Sequence, residues 1–287
     1  RPDVSYFVLD LGQEARQNPA FIGEMLRHLM QEFEEGALSP LPTHVFPLQE
    51  VIGAFRFMAQ AKQIGKIVVT QEVGLSGIAP GQFRADASYL ITGGLGGLGL
   101  QVARWMVERG ARHLALLGRK EASTIAQEAV DELKRGGVQV LIIQADVAQA
   151  DQVTHALESI SQTMPRLRGI VHAAGIIDDG ILLRQDWERF AHVFAPKVQG
   201  SWNLHTQTRG LTLDFFVLFS SIASIWGTAG QSSYAAANAF LDSLAHARRV
   251  QGLPAQSINW GGWAEIGLAA KPDITDRMTT QGIRAIT

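Results

Sequence analysis

Four polar residues in the second half of the chain have types and spacings that suit proton transfer to a carbonyl oxygen. Ser221 ends an apolar run, Tyr234 follows thirteen residues later, Asn238 comes four residues after the tyrosine, and Lys197 lies upstream. Residues four apart share one face of a helix, so Tyr234 and Asn238 should point the same way.

The chemistry that this set predicts is the protonation of a ketone during its reduction. A phenol is a suitable donor when its pKa, about 10 in model peptides, is lowered. The Lys197 ammonium would lower the pKa of Tyr234 by stabilising the phenolate, and the Ser221 hydroxyl can hold the carbonyl oxygen as it gains negative charge. Each residue alone also has an ordinary structural interpretation, and only the combination favours catalysis. The hydride would have to come from a nicotinamide.

A glycine-rich stretch, SYLITGGLGGLGL at residues 88–100, has the context of a dinucleotide-binding loop. A short apolar strand enters a turn with five glycines, and a helix-compatible run follows. Glycines permit the tight turn and the close approach of backbone to a pyrophosphate, and the helix N-terminus offers free N–H groups. A glycine-rich turn without a ligand is the alternative. The glycines are denser than in the usual dehydrogenase pattern, which indicates the short-chain reductase version of the loop.

Alternating strands and helices after residue 88 predict the fold that would position these groups. The predicted strands cover residues 89–92, 113–118, 138–146, 167–175, 214–221 and 255–262. Helices are predicted at about 97–109, 122–135, 150–160 and 232–250, with helical segments up to about 209. The strands are nearly continuous apolar runs, as expected when helices cover both faces. The fold class is therefore α/β, a doubly wound parallel Rossmann sheet.

Ligands of such sheets bind at the carboxyl ends of the strands, which selects the candidate cofactor residues. Arg119 follows the second strand, where a basic residue favours the 2′-phosphate of NADPH over the ribose of NAD. Asp146 ends the third strand and would meet the adenine edge, with Val147 packing beside it. The full predicted set is Thr92, Gly93, Gly94, Leu95, Gly96, Gly97, Leu98, Gly118, Arg119, Asp146, Val147, Ala173, Ala174, Gly175, Lys197 and Tyr234. The chain has no cysteine, and no metal site is predicted.

Residues 88–287 resemble the catalytic part of a ketoreductase domain of a modular type I polyketide synthase. The motifs TGGLGGLG, LGR, HAAG, FAPKVQG, FSSIASIWGTAGQSSYAAANAFLDSLA and INWGGW carry this resemblance in order. Single-chain short-chain dehydrogenases usually have a lysine four residues after the tyrosine. Asn238 at that position, with Lys197 upstream, resembles the polyketide and fatty acid synthase branch.

The resemblance implies a role for each candidate residue. Ser221 and Tyr234 would bind and protonate the carbonyl, while Lys197 and Asn238 would support the tyrosine and the nicotinamide ribose. The implied reaction is NADPH-dependent reduction of a β-ketoacyl thioester. The implied partners are an acyl carrier protein, whose phosphopantetheine arm carries the substrate, and the other domains of the same synthase.

Two markers of product stereochemistry disagree. Ile177-Asp178-Asp179 is similar to the Leu-Asp-Asp signature of B-type ketoreductases, which form the D alcohol, with Asp179 as the diagnostic acid. Trp226, eight residues before Tyr234, is associated with the opposite, A-type, group. We give Asp179 more weight because its loop would border the entry path of the carrier arm, and we expect the D alcohol.

Residues 1–75 differ from the rest and resemble the C-terminal end of an enoylreductase domain, a medium-chain reductase, of a synthase. VSYFVLDL predicts a strand, and the resemblance lies in LSPLPTHVFPLQEVIGAFRFMAQAKQIGKIVVT. No glycine-rich loop precedes residue 88, so this incomplete α/β segment should not be an active enoylreductase. Residues 76–87 are interpreted as a linker. The second, non-catalytic half of a ketoreductase is absent from residues 1–87, so we expect a fragment less stable than an intact module.

Composition excludes some functions and leaves two rivals. With a net charge of −2, the chain has no excess of basic residues that would attract nucleic acid or an anionic membrane. No apolar run approaches the roughly 20 residues of a membrane span, and no signal peptide is apparent, so a cytoplasmic location is expected. One rival is a free-standing short-chain dehydrogenase or sugar epimerase. The other is a catalytically silent ketoreductase that serves only as a scaffold.

Overall fold

A computed structural model describes residues 17–60, 64–70, 83–264, 266–267 and 285–286. The chain divides into two compact units, Arg1–Ser76 and Gly77–Thr287, which are described separately. The strand predicted from VSYFVLDL lies outside the described residues. Among the residues that are described, no helix is both long enough and apolar enough to cross a membrane.

The first unit contains two helices and a small sheet. Its elements are α1 (Pro19–Glu34), β1 (Thr43–Pro47), a 3₁₀ turn (Leu48–Glu50), α2 (Val51–Ala59) and β2 (Lys66–Thr70). Helix α1 begins with Pro19 in its first turn, and the Asn18 side chain accepts a hydrogen bond from the Phe21 amide. Strands β1 and β2 pair in parallel.

The apolar side chains of this unit remain largely exposed. Of its described residues only Ala54 is buried, and Phe55 is 64% exposed. The described part of the unit therefore has almost no buried core of its own.

The second unit is built on one parallel sheet. Its elements are β3 (Ser88–Thr92), α3 (Gly97–Glu108), β4 (His113–Gly118), α4 (Thr124–Arg135), β5 (Gln139–Gln144), α5 (Ala150–Thr163), β6 (Leu167–His172), a 3₁₀ turn (Leu182–Arg184), α6 (Trp187–Phe194), a π-helical turn (Ala195–Gln199), α7 (Gly200–Thr208), β7 (Phe215–Ser221), α8 (Ala223–Trp226), α9 (Ser232–Val250) and β8 (Gln256–Trp260). The strand order is β5-β4-β3-β6-β7-β8, and all pairs are parallel. This order confirms the doubly wound Rossmann sheet, with its switch point between β3 and β6.

Alternate strand residues pack into two apolar layers, one on each face of the sheet. Tyr89 and Ile91 of β3 face one layer, while Leu90 between them faces the other. Side chains alternate between faces along a strand, so burial on both faces requires the nearly continuous apolar runs seen in the sequence.

Three strands end earlier than the sequence predicts. Strands β5, β6 and β8 end at Gln144, His172 and Trp260 rather than at 146, 175 and 262. The residues beyond these points leave the ladder to form loops at the carboxyl edge, where small and polar residues replace the apolar run. The second unit also starts before Ser88, because Phe83, within the interval interpreted as a linker, packs edge-on against Tyr89 and Trp105.

Candidate active site

A cleft of about 640 Å³ opens at the carboxyl edge of the sheet, at the switch point. Its walls come from the glycine-rich loop and from the residues that follow β4, β6, β7 and β8. The predicted residues that line it are Gly93, Leu95, Gly96, Gly97, Leu98, Gly118, Arg119, Ala173, Ala174, Gly175, Lys197, Ser221 and Tyr234. The tertiary structure therefore brings most of the predicted set into one place.

The glycine-rich loop is packed so closely that side chains are excluded at several points. Gly93 has a φ of +68°, and a Cβ there would lie 3.0 Å from the Ala173 backbone. A Cβ on Gly99 would lie 2.3 Å from the Gly93 oxygen, and one on Gly94 would lie 2.7 Å from the Ile91 oxygen. Glycine is required because the loop must fold back on itself and against β6. The N-terminus of α3 follows directly, which fits a phosphate-binding cradle.

Two polar groups lining the far wall of the cleft fit a polar ligand. The indole N–H groups of Trp260 and Trp263 are buried without a hydrogen-bond partner among the described residues. Buried donors are normally paired, so these two are available to a bound molecule. Together with the glycine cradle, they fit a dinucleotide lying across the switch point.

The catalytic candidates converge from three elements. Ser221 ends β7, Tyr234 lies in the first turn of α9, and Lys197 lies in the π-helical turn. The Lys197 amine is 5.5 Å from the centroid of the Tyr234 ring and donates a hydrogen bond of 2.9 Å to the Phe219 carbonyl. Ser221 Oγ accepts a hydrogen bond from the Ala223 amide at 3.2 Å, which leaves its own proton for another acceptor.

Asn238 is placed differently from the other three. It is fully buried and does not line the cleft. Its Nδ2 donates to the main-chain oxygen of Tyr234 at 2.8 Å, and its Oδ1 is buried without a partner among the described residues. Asn238 therefore contacts the turn that carries the tyrosine rather than the open part of the cleft.

A π-helical turn positions the lysine. Pro196 has no N–H, so the regular α-helical hydrogen bond at that point is lost, and the backbone widens over Ala195–Gln199. Such widened turns occur frequently at functional sites. Lys197 is 4% exposed, so the turn directs a long amine into the interior rather than into solvent.

Burial is the largest cause of the shifted pKa values of Tyr234, Lys197 and His172. It raises the pKa of Tyr234, although hydrogen bonds with the side chains of Ser221 and Asn238 act in the opposite direction. The sequence predicted a lowered pKa for this phenol, and that prediction is wrong for the structure because desolvation outweighs the hydrogen bonds. Burial also lowers the pKa of Lys197 to about 7, opposed by the charge of Asp242. His172, beside the lysine, has a pKa lowered to about 3 and is neutral.

Replacing Lys197 with methionine should stabilise the fold. The pKa of the lysine is about 7 in the folded chain against an ordinary 10.5, so stability rises with pH between these values as the folded state releases the proton first. At pH 7 and below, burying the charge costs on the order of several kcal/mol. We expect Lys197→Met to raise the melting temperature at pH 7. The variant should also lack most of the increase in stability that the wild type shows between pH 7 and 10.5.

The matched control for this prediction is Lys134→Met on the exposed face of α4. It should leave the melting temperature and its pH dependence nearly unchanged. A Lys197→Met protein that melts below the wild type at pH 7 would contradict the assignment of a costly buried amine. Thermal denaturation followed by circular dichroism at several pH values provides the measurement.

Four predicted cofactor residues do not line the cleft. Thr92 is buried and bonds His172 Nδ1 at 2.7 Å, and Gly94 is buried within the loop. The Asp146 carboxylate accepts from the Ala148 amide at 2.9 Å, and its partner in the prediction, Val147, is 2% exposed. These residues shape the loops next to the cleft rather than its surface.

The two stereochemical markers also lie outside the cleft lining, in different environments. Asp179 Oδ1 accepts a hydrogen bond of 2.9 Å from Gln231, which does line the cleft three residues before Tyr234. The Gly180 amide also donates to Gly230 at 2.8 Å, so the Asp179 loop is held against the start of α9. Trp226 is 77% exposed.

Several lining residues were not predicted from the sequence. They include Gln231, Trp260 and Trp263. The sequence contained a signal for the tryptophans, because WGGW begins at the last residue of β8 and strand ends line the site in such sheets. Gln231 had no comparable signal. Among the described residues, no cluster of three or more His, Cys, Asp or Glu side chains could hold a metal ion.

The sheet order and the cleft define the class of protein: a Rossmann-fold, nicotinamide-dependent oxidoreductase of the short-chain type. The chain belongs to the KR domain family, whose model matches residues 87–265. Residues 5–69 match the family described as zinc-binding dehydrogenase, which confirms the resemblance of this segment to a medium-chain reductase.

The similar curated proteins are polyketide synthases. The chain is 40% identical over 272 residues to a phenolphthiocerol/phthiocerol polyketide synthase of Mycobacterium tuberculosis, covering 93% of this chain and 12% of that protein. It is 42% identical over 274 residues to the spectinabilin polyketide synthase system protein NorB of Streptomyces orinoci, again covering 93% and 12%. The chain thus spans about an eighth of the length of these relatives.

Solved ketoreductase structures have the same fold. An A1-type ketoreductase aligns with a TM-score of 0.68 and 38% identity, covering 75% of this chain and 44% of the other. A ketoreductase domain from the bacillaene assembly line aligns over 99% of this chain and 80% of its own length, with a TM-score of 0.67 and 25% identity.

Proposed function

We propose that this chain catalyses the NADPH-dependent reduction of a β-ketoacyl thioester to the β-hydroxyacyl thioester within a polyketide synthase. One observation carries the proposal: Ser221, Tyr234 and Lys197 converge in a single cleft with the glycine-rich loop. A hydroxyl, a phenol and an amine at this point can bind and protonate a carbonyl oxygen beside a dinucleotide.

Each residue has a distinct task in this proposal. Ser221 Oγ, which accepts a hydrogen bond from the Ala223 amide, donates a hydrogen bond to the substrate oxygen. Tyr234 holds the proton that the oxygen receives as the hydride arrives. Its raised pKa keeps it in the protonated form that a donor must have. The charge of Lys197 stabilises the phenolate left behind. When bound, the nicotinamide supplies the hydride.

The basic residue after β4 is the proposed determinant of NADPH preference. Arg119 is exposed at the end of the cleft beside Gly118. A guanidinium there can bind the 2′-phosphate, whereas an acid would suit the free ribose hydroxyls. Arg119→Gln should lower kcat/KM for NADPH about tenfold and leave the value for NADH nearly unchanged.

The control for this cofactor prediction is Arg135→Gln, the same change at the exposed end of α4. It should not alter either kcat/KM value. Equal losses with NADPH and NADH in the Arg119 variant would contradict the assignment. Absorbance at the reduced nicotinamide wavelength measures both cofactors in one assay.

For stereochemistry we propose the D, B-type, alcohol. The Asp179 loop is held against the start of α9 through Gln231, while Trp226 projects into solvent. Similar structures are described as A-type and C2-type ketoreductases, so the shared fold does not separate the types. Chiral chromatography of the product should give the D alcohol. An L product would contradict this proposal and would make Trp226, rather than Asp179, the better marker of product stereochemistry.

The proposed partners are the acyl carrier protein, which presents the substrate on its phosphopantetheine arm, and the other domains of the same synthase. We propose no nucleic-acid or membrane partner and a cytoplasmic setting. In domain terms, residues 1–75 are the proposed enoylreductase remnant, 76–87 the linker and 88–287 the ketoreductase. The small amount of buried surface in the described part of the first unit supports the remnant assignment.

The test of the function is turnover of a simple β-ketoacyl thioester with NADPH. We expect NADPH oxidation with stoichiometric β-hydroxyacyl thioester, and a higher kcat/KM for a carrier-bound β-keto thioester than for free ketones. Preference for free ketones would favour the free-standing dehydrogenase. NADPH binding, seen by fluorescence titration, without turnover would favour the silent scaffold.

A further inference from the structure

An arginine of helix α6 holds the loop that continues from the cleft wall after β6. Arg189 Nε donates hydrogen bonds of 3.1 Å to both carboxylate oxygens of Asp178, and its Nη2 forms an ion pair with the same carboxylate. Arg189 Nη2 also donates to the main-chain oxygen of Asp179 at 2.7 Å. One guanidinium therefore binds two consecutive loop residues, through a side chain and through the backbone, with a planar fork that lysine lacks.

The guanidinium lies directly against the backbone of this loop. A Cβ added to Gly180 would lie 2.7 Å from Arg189 Nη1, so a side chain at this position would collide with the arginine. Gln185 Nε2 adds longer contacts, 3.4 Å to the Asp178 oxygen and 3.3 Å to the Gly180 oxygen. The backbone of Arg189 is itself fixed, because its amide donates to the Asp186 side chain at the start of α6 at 2.9 Å.

The same loop is also bound to the start of α9, the helix that carries Tyr234. The Gly180 amide donates to the Gly230 oxygen at 2.8 Å, and Gln231 Nε2 donates to Asp179 Oδ1 at 2.9 Å. Gln231 is buried and lines the cleft. Residues 178–180 therefore connect α6 with the beginning of the helix that holds the proposed proton donor.

This connection fixes one wall of the cleft. Ile177, one residue before the loop, lines the cleft, as does Gln231 on the element to which the loop is bound. The side-chain hydrogen bond with Arg189 lowers the pKa of the Asp178 carboxyl, so both partners are charged at neutral pH. A charged fork with several hydrogen bonds holds its partners more firmly than a single surface ion pair does.

A fixed wall at this place bears on the configuration of the product. In the proposed function Ser221 and Tyr234 bind the carbonyl oxygen. The freedom that remains is a half-turn about the carbonyl bond, which exchanges the thioester arm and the acyl chain and turns the opposite face of the ketone toward the hydride donor. The walls that confine the two arms therefore decide which alcohol forms.

We propose that Arg189 is a positioning residue that determines the stereochemical purity of the reduction by holding residues 178–180 in one conformation beside the cleft. This inference rests on the function proposed above and deepens it by assigning specificity to a residue that does not line the cleft. It applies whichever alcohol is formed, because a loosened wall admits both orientations of the ketone.

The first test is the ratio of the two enantiomers of the product, measured by chiral chromatography. Arg189→Met keeps the aliphatic stem and removes the guanidinium, and it should lower the ratio of major to minor product about tenfold. Arg189→Lys keeps the charge without the fork and should give an intermediate ratio. The matched control is Arg104→Met, which breaks an exposed ion pair with Glu132 between α3 and α4 and should leave the ratio unchanged.

A second readout does not depend on turnover. Hydrogen–deuterium exchange of peptides that cover residues 175–186, followed by mass spectrometry, reports opening of the loop. Arg189→Met should raise the exchange rate of the amides at residues 178–180 about tenfold, whereas Arg104→Met should not change it. Asp178→Asn removes the other half of the ion pair, and it should reproduce both effects even if Arg189→Met does not fold.

Four outcomes would overturn the role of Arg189. Unchanged loop exchange in Arg189→Met would show that the guanidinium does not hold the loop. Faster exchange with a wild-type enantiomer ratio would make the arginine a purely structural residue, as would failure of both Arg189→Met and Asp178→Asn to fold. An equal loss of the ratio in Arg104→Met would assign the effect to general destabilisation.

Failure of the proposed function has a different signature. A wild-type protein that does not reduce the thioester would remove the reduction and with it the specificity role of Arg189. The exchange rates would still decide whether Arg189 holds residues 178–180, because they require neither substrate nor cofactor.

Discussion

Replacing Tyr234 with phenylalanine should lower kcat for β-ketoacyl thioester reduction by roughly 100-fold or more, which is the scale of general acid catalysis. The change removes one oxygen and leaves a ring of nearly the same shape. Since the phenol is the proposed proton donor, the alkoxide that forms on hydride arrival would have to take its proton from water or from Ser221.

The structure restricts the other effects of this change. Tyr234 lies in the first turn of α9. Asn238 donates a hydrogen bond to the main-chain oxygen of Tyr234, and this bond does not require the phenol. Folding and NADPH binding should therefore stay close to the wild type. Stopped-flow absorbance of NADPH oxidation and fluorescence titration of the cofactor would separate the chemical step from binding.

Tyr89→Phe is the matched control. It makes the same chemical change in a buried tyrosine of β3 whose hydroxyl accepts a 2.7 Å hydrogen bond from the Arg84 amide. It should cost about 1 kcal/mol of stability and leave kcat unchanged. If Tyr234→Phe retained more than a tenth of the wild-type kcat, the phenol would not be the principal proton donor.

The second large effect is expected from Gly99→Ala, which should weaken NADPH binding about 100-fold. A Cβ at this position would lie 2.3 Å from the Gly93 oxygen and 2.7 Å from the Gly94 Cα. Both neighbours are backbone atoms, so no side chain can rotate away, and the loop must open. An opened loop no longer presents its backbone and the start of α3 to the cofactor phosphates.

Gly210→Ala serves as the control, because a Cβ there meets nothing within 4 Å and lies far from the glycine-rich loop in the sequence. It should bind NADPH like the wild type. Circular dichroism would establish that Gly99→Ala still folds. A folded Gly99→Ala protein with wild-type affinity would show that the loop does not hold the phosphates.

Much of the fold could be predicted because its signals are local. Strand β4 and helix α9 were predicted with the bounds that the structure has, since apolar runs, helical spacing and glycines mark them directly. Residues beyond the ends of β5, β6 and β8 were wrongly added to the strands. Their departure from the sheet depends on partners that are distant in the chain.

The candidate site also contains residues that could be predicted from local sequence and contacts that depend on tertiary packing. The glycine-rich loop, Ser221, Tyr234 and Lys197 could be selected from residue type, spacing and the strand-end rule. The hydrogen bond between Asp179 and Gln231 could not, since it depends on the path of side chains between packed elements. The tryptophans at the end of β8 and just beyond it, Trp260 and Trp263, had a usable sequence signal that was not assigned a role.

The sequence by itself determined the alternation of strands and helices, the cradle of glycines and the identity of the groups that could move a proton. Only the tertiary structure decided how acidic those groups are. Burial raised the pKa of Tyr234 and lowered that of Lys197, against the direction expected for the phenol. Desolvation is a property of everything packed around a group, so it follows from contacts across the whole sheet rather than from any local pattern.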